Sequence, residues 1–156
     1  MAVVVWIVEG TWTACVDAAR AQAPRDGRTV LLHVTSPDPA AVARGAYASL
    51  LGRAHLGRDP ADRLEHLAAA SAGDLLARAA ERLARPSTRV TRTGRAEHEV
   101  VAAAGDAELL VCARDGDRAD PGPRSLGPAT RFVVDHALCP VLLVWPGPPV
   151  PPSRGS

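Results

Sequence analysis

Apolar residues along this chain come in two textures. Short continuous runs alternate with stretches in which apolar positions recur every three or four residues, and that alternation predicts strands interleaved with helices. Val3 to Val8 is an unbroken, largely β-branched run ending at Glu9-Gly10, the pattern of a strand buried on both faces. Ala14 to Ala23 places Asp17 and Arg20 at helical spacing among Ala, Val and Cys, and Pro24 stops it. Thr29 to Val34 (TVLLHV) is a second buried strand, closed by Ser36-Pro37. Pro39 to Arg58 is weakly patterned and broken by Gly45, Gly52 and Gly57, so it reads as one short helix and a mobile connection. Asp59-Pro60 supplies an N-cap and an N1 proline for a long helix running to Pro86. Leu64, Leu67, Ser71, Leu75, Ala79 and Leu83 mark its expected inner face.

Arg89 to Thr93 (RVTRT) alternates and is too polar for a central parallel strand, so it is assigned to an edge. After a turn at Gly94, Ala96 to Ala104 predicts a short helix capped by Gly105, followed by the strand Leu109 to Ala113. A Gly- and Pro-rich loop then leads into a helix over Ala129 to Ala137, with Phe132, Val133 and His136 expected to face inward. Val141 to Trp145 is the last strand. Strands alternating with helices make this a doubly wound α/β protein, a five-stranded parallel sheet with helices on both faces. Residues 1–146 form one domain, and the tail 147–156, GPPVPPSRGS within a Pro-rich end, is expected to be disordered.

Composition narrows the function. At 156 residues and 47% hydrophobic the chain buries one sizeable core and leaves no room for a second, catalytic domain. Its net charge of +1, with arginines dispersed among acids, lacks the footprint of a nucleic-acid binder. All 18 basic residues are arginine, which removes the P-loop lysine, Schiff-base chemistry and a lysine general base. Cys15, Cys112 and Cys139 are odd in number and form no C-x-x-C pair, so they read as small core residues of a reducing compartment. The first apolar run has no basic segment before it and is too short to span a membrane, and the protein is expected in the cytoplasm.

The chemistry-bearing stretch is Ala107 to Pro146, where a strand runs into a glycine-containing loop and then a helix start. Such a loop lets backbone approach an anion while the helix presents unpaired N–H groups to it. Together with the LLHV strand ending, the Gly94 turn and the closure HALCPVLLV, this succession resembles the universal stress proteins over nearly the whole chain. The resemblance implies the strand order 3-2-1-4-5 and a ligand cleft at the switch point, beyond the carboxyl ends of the first and fourth strands. It further implies a non-catalytic regulatory module in stress response that binds ATP with Mg²⁺, hydrolysing it very slowly if at all.

Carried over residue by residue, the adenine end of that site is Glu9, Gly10, Thr11 and Val34. The phosphate end is Ala113, Arg114, Gly116, Gly127, Pro128 and Thr130. The chain departs from the family's G-x2-G-x9-G-(S/T) pattern. Ala113 stands at the first glycine, ten residues instead of nine separate Gly116 from Gly127, and Pro128 replaces Ser or Thr. Proline brings neither an N–H nor a hydroxyl to a phosphate oxygen, yet it suits the first turn of a helix. Two readings therefore stand: an anion site sustained by Thr130 with Arg114, Arg118, Arg124 and Ser125, or a dimeric interaction module that has lost nucleotide. Trp12 either stacks on a base or roofs the neighbouring helix. His33 reads as a hydrogen-bonded core histidine, and His98-Glu99 lacks the second histidine of a zinc-protease motif because Ala102 holds that place. Val141 to Trp145, apolar throughout and at the sheet edge in the implied order, is expected to pair with its copy in a homodimer. Any further protein partner is not legible in the sequence.

Overall fold

The computed structural model describes residues 2–37, 60–116 and 118–147. Five strands, β1 (Ala2–Trp6), β2 (Arg28–Thr35), β3 (Thr88–Thr93), β4 (Leu109–Ala113) and β5 (Val141–Val144), form one all-parallel sheet in the order β3-β2-β1-β4-β5. Four helices are described: α1 (Trp12–Gln22), α2 (Pro60–Leu83), α3 (Ala96–Ala103) and α4 (Pro128–His136). The expected short helix over 39–58, the Asp59 cap, the Leu64 side chain and the tail 148–156 lie outside the described residues.

Side-chain alternation along the strands splits the core into two layers. Val3, Val5, Ile7, Leu31 and Val111 point to one face and meet Cys15, Val16 and Ala19 of α1 and Leu75, Leu76, Ala79 and Leu83 of α2. Val4, Trp6, Leu32, Val34, Leu110 and Cys112 point to the other, against Val100 and Ala104 from the α3 segment and Val133 of α4. Central β1 and β4 are thus apolar at nearly every position because both their faces are covered. Polar β3 holds the edge, as its alternation predicted.

Several boundaries and faces differ from the sequence reading. The first strand ends at Trp6, because the Val8 carbonyl accepts the N–H groups of Thr11 and Trp12 (3.2 and 3.0 Å) and turns the chain into α1. Gly10 makes that turn at φ +89°, a conformation costly for any residue with a Cβ. On α2 the buried stripe is Ala72, Leu75, Leu76, Ala79 and Leu83, whereas Leu67 is 64% exposed and Ser71 is exposed. The cap of α3 is Ala104, not Gly105. His136 also faces out. Its ring stacks on Phe132 (3.9 Å, 16°) and its Nδ1 meets the Phe132 carbonyl at 2.8 Å, with the His98 ring 4.8 Å from that of Phe132.

Arginines at and just beyond the end of α2 tie it to α1. Arg82 donates two hydrogen bonds to Asp17 (2.8 Å each), and the guanidinium holds the Asp17 carboxyl below the usual carboxylate range. Arg85 reaches back to the last carbonyls of α1. His33, on β2, hydrogen-bonds through Nδ1 to the Ile7 carbonyl (2.8 Å), as a strand histidine in a core needs.

The three cysteines are free and form no disulfide. Burial pushes the Cys15 thiol up to about 12, and burial with the nearby Asp115 charge pushes Cys112 up to about 11. Since the thiolate is the nucleophile, iodoacetamide near neutral pH is expected to modify half-exposed Cys139 first. Cys15 and Cys112 should react at least about a hundredfold more slowly than a free thiol until the chain unfolds. Peptide mass spectrometry over a labelling time course checks this, and Cys15 labelled as fast as Cys139 would contradict it.

Candidate functional site

Parallel strands deliver their carboxyl ends to one rim of the sheet, and the order reverses between β1 and β4, so the segments leaving these two strands diverge and open a cleft. A cavity of about 240 Å³ lies there, walled by Trp6 and Val8 with Thr11 from the β1 side. Ala113 to Asp115 and Gly127 to Thr130 form its other wall. Six of the predicted residues line it: Thr11, Ala113, Arg114, Gly127, Pro128 and Thr130. Glu9, Gly10, Val34 and Gly116 do not. Val34 is buried in the α3/α4 layer, and the Glu9 carboxylate is turned to Arg78 of α2 at 3.4 Å, on the outer surface. Trp12 packs on the α1/α2 layer with the Arg78 guanidinium 5.7 Å from its ring centre, so it roofs a helix and does not face a base. The aromatic in the cleft is Trp6, read from the sequence only as one of a strand's apolar residues.

The residue that organises the site is one the sequence reading passed over. Asp115 stands two positions beyond β4, its own N–H pinned to the Ser125 carbonyl at 2.7 Å. That anchor aims its carboxylate at the start of α4. Oδ2 accepts the Gly127 N–H at 2.7 Å and lies 3.4 Å from the Thr130 hydroxyl. These are the donors a phosphate would use, because a helix N-terminus carries unpaired N–H groups and partial positive charge. The fit is close: a Cβ on residue 127 would sit 2.6 Å from Asp115 Oδ2, so glycine is required for this approach. Pro128 occupies the first position of α4, as a helix-start proline does.

Arg114 is also committed. Its guanidinium donates to the Ser125 hydroxyl at 2.9 Å and lies over the Trp145 ring at 4.8 Å, while Ser125 itself is buried. Arg118 and Arg124 are exposed and contribute nothing to the lining. The loop from Arg114 to Gly127 is therefore closed on its own side chains. At the start of α4, then, the Gly127 N–H is taken by the Asp115 carboxylate and Pro128 offers no N–H of its own. Among the described residues no group of three or more His, Cys, Asp or Glu could hold a metal ion. No described helix is long and apolar enough to cross a membrane.

The universal stress protein family model matches residues 8–144. No curated protein matches the sequence. Among solved structures, the hypothetical protein MJ0577 superposes with a TM-score of 0.67 at 14% identity, covering 94% of this chain and 96% of its own. A universal stress protein in complex with cAMP gives 0.57 at 16% identity, covering 94% and 98%. An Arabidopsis thaliana universal stress protein family member with AMP bound gives 0.53 at 17%, covering 99% and 97%. Likeness at this identity establishes the fold.

Proposed function

This chain belongs to the universal stress protein family, and from that premise we propose that it is a non-catalytic regulatory module that acts as a homodimeric interaction module, its cleft closed to nucleoside triphosphates. The observation that carries this reading is the Asp115 carboxylate seated on the Gly127 N–H, where a phosphate would have to bind. A bound anion would have to displace a charge-assisted hydrogen bond already made within the chain, and it would do so against the repulsion of that carboxylate. No lining side chain other than Asp115 is a carboxylate or histidine able to activate water, and Asp115 is spent on the helix. The dimer would form through Val141 to Trp145, and the unpaired cysteines suit a reducing, cytoplasmic setting.

A second reading is favoured by two similar structures, one in complex with cAMP and one with AMP bound: adenine nucleotide binds this chain too, and Asp115 swings aside to admit it. Titration calorimetry with AMP, cAMP and Mg·ATP separates the two. Wild-type protein is expected to give no saturable heat with ATP up to about 1 mM, a limit of about 4 kcal/mol of binding free energy. Micromolar ATP affinity would overturn the closed-cleft reading and establish the second.

A further inference from the structure

We propose that the arginine-lined cavity between the ends of α1 and α2 is a second binding site, one for a small anion bearing a phosphate or pyrophosphate group. Helices that connect parallel strands run back against them, so the C-termini of α1 and α2 lie at the end of the sheet opposite the cleft. There Arg20, Arg25, Leu83, Ala84 and Arg85 line an open hollow of about 320 Å³, and no carboxylate is in the lining. The volume lies at the lower end of the range of small-molecule pockets, about 300–1,000 Å³.

The chain has fixed one of these arginines in advance. Arg85 donates through Nη1 to the Ala23 carbonyl (3.4 Å) and through Nη2 to the Arg20 carbonyl. Those two bonds answer the negative end of α1, which would otherwise disfavour an anion here. They use two of five N–H donors and leave the fork held in place, so little side-chain entropy remains to be lost on binding. The residue that turns the chain into this position is strained. Ala84, at φ +55°, is the only non-glycine described residue with positive φ, and such strain persists where the surroundings impose it and clusters at ligand clamps and other functional sites.

Arg20 and Arg25 complete the wall and are exposed. Three arginines share this lining with no carboxylate among them, so an anion would meet only cationic side chains there. Asp17 feels the Arg20 charge but is held by both donors of Arg82 and stands outside the lining, as do exposed Asp26 and Glu81. Arginine forks match phosphate oxygens in paired hydrogen bonds, which selects a phosphate group over a halide.

The test is calorimetric titration of the full chain with inorganic pyrophosphate at constant ionic strength set by chloride. Saturable binding is expected, weakened at least about tenfold in Arg20→Gln/Arg25→Gln, whose two exposed positions leave the core intact. Thr130→Val, in the cleft, should leave pyrophosphate affinity unchanged. The proposal is overturned if wild type shows no saturable binding, if the double variant binds as well as wild type, or if Thr130→Val is the substitution that removes binding. Because ATP is not the probe and the variants lie at opposite ends of the sheet, failure here is distinct from failure of the closed-cleft reading.

Discussion

Replacing Asp115 with Ser together with Ala113→Gly and Pro128→Ser is expected to convert the closed loop into one that binds Mg·ATP at least about a hundredfold more tightly than wild type, a gain of about 2.7 kcal/mol. Asp115→Ser frees the Gly127 N–H and removes a negative charge from the place a phosphate would occupy. Pro128→Ser adds a backbone N–H and a hydroxyl to the first turn of α4, where both can reach an anion. Each hydrogen bond to a charged oxygen contributes about 1.5–3 kcal/mol, so even two recovered donors account for the gain. The same change costs stability, because α4 loses the carboxylate at its N-terminus. The melting free energy should fall by about 1 kcal/mol and recover when nucleotide is added. Calorimetry on the triple variant and on Asp115→Ser alone reads both effects. If the triple variant binds ATP no better than wild type, Asp115 is a helix cap with no bearing on ligand access.

Most of the scaffold behind that prediction is legible in the sequence. β1, β2 and β4 are buried on both faces, so each is a run of apolar residues that only a parallel interior strand accommodates. Polar β3 declares itself an edge for the converse reason. What misleads is position within a helix. Leu67 has the spacing of the inner face of α2, yet it is 64% exposed, and among the described side chains of this helix those in the core layer start at Leu75. His136 keeps helical register with Val133 but lies on the outer side of α4, where a half-buried Phe132 offers its ring. Periodicity places residues on a face and says nothing about where the opposing layer ends.

The site was less legible for a related reason. Motif alignment names the positions that a ligand would use, and six of ten do line the cleft. It does not name the residue that takes the ligand's place. Asp115 is twelve residues from Gly127, and their contact depends on the Ser125 carbonyl folding the loop back to hold the Asp115 N–H. The available signal was an acidic residue two positions after a strand, in a loop where the chemistry of anion binding favours neutral or basic ones. Glu9 stands outside the cleft lining for a similar reason: Arg78, distant in sequence, holds its carboxylate at 3.4 Å on the outer surface.

At the other edge of the sheet, Leu143→Pro is expected to turn the proposed β5 dimer into a monomer. β5 pairs with β4 alone, and its four residues, all apolar, are each only partly covered. In a parallel ladder successive residues direct their N–H and C=O groups alternately to either side. The carbonyls of Pro140 and Val144 bond to Leu110 and Arg114 of the β4 side (2.9 and 2.8 Å), so Leu142 shares their direction, and the polar groups of Val141 and Leu143 point away from the sheet. An exposed edge with free donors and apolar side chains is a template for another strand, and a second copy related by a two-fold axis supplies one without leaving an open end. Arg114 covers Trp145 just beyond this strand, so the end of the edge is held in place before pairing. Proline at 143 removes an outward N–H while leaving every β4–β5 hydrogen bond intact, which makes it a cleaner probe than a core substitution. Leu143→Arg attacks the same edge by charge and should agree with it, weakening association by at least about a hundredfold. Light scattering of nucleotide-free protein at about 20 µM, a concentration well above the Kd of a specific dimer, decides the matter. Wild type that scatters as a monomer would remove the β5 interface, whereas a proline variant that stays dimeric would move it to another face.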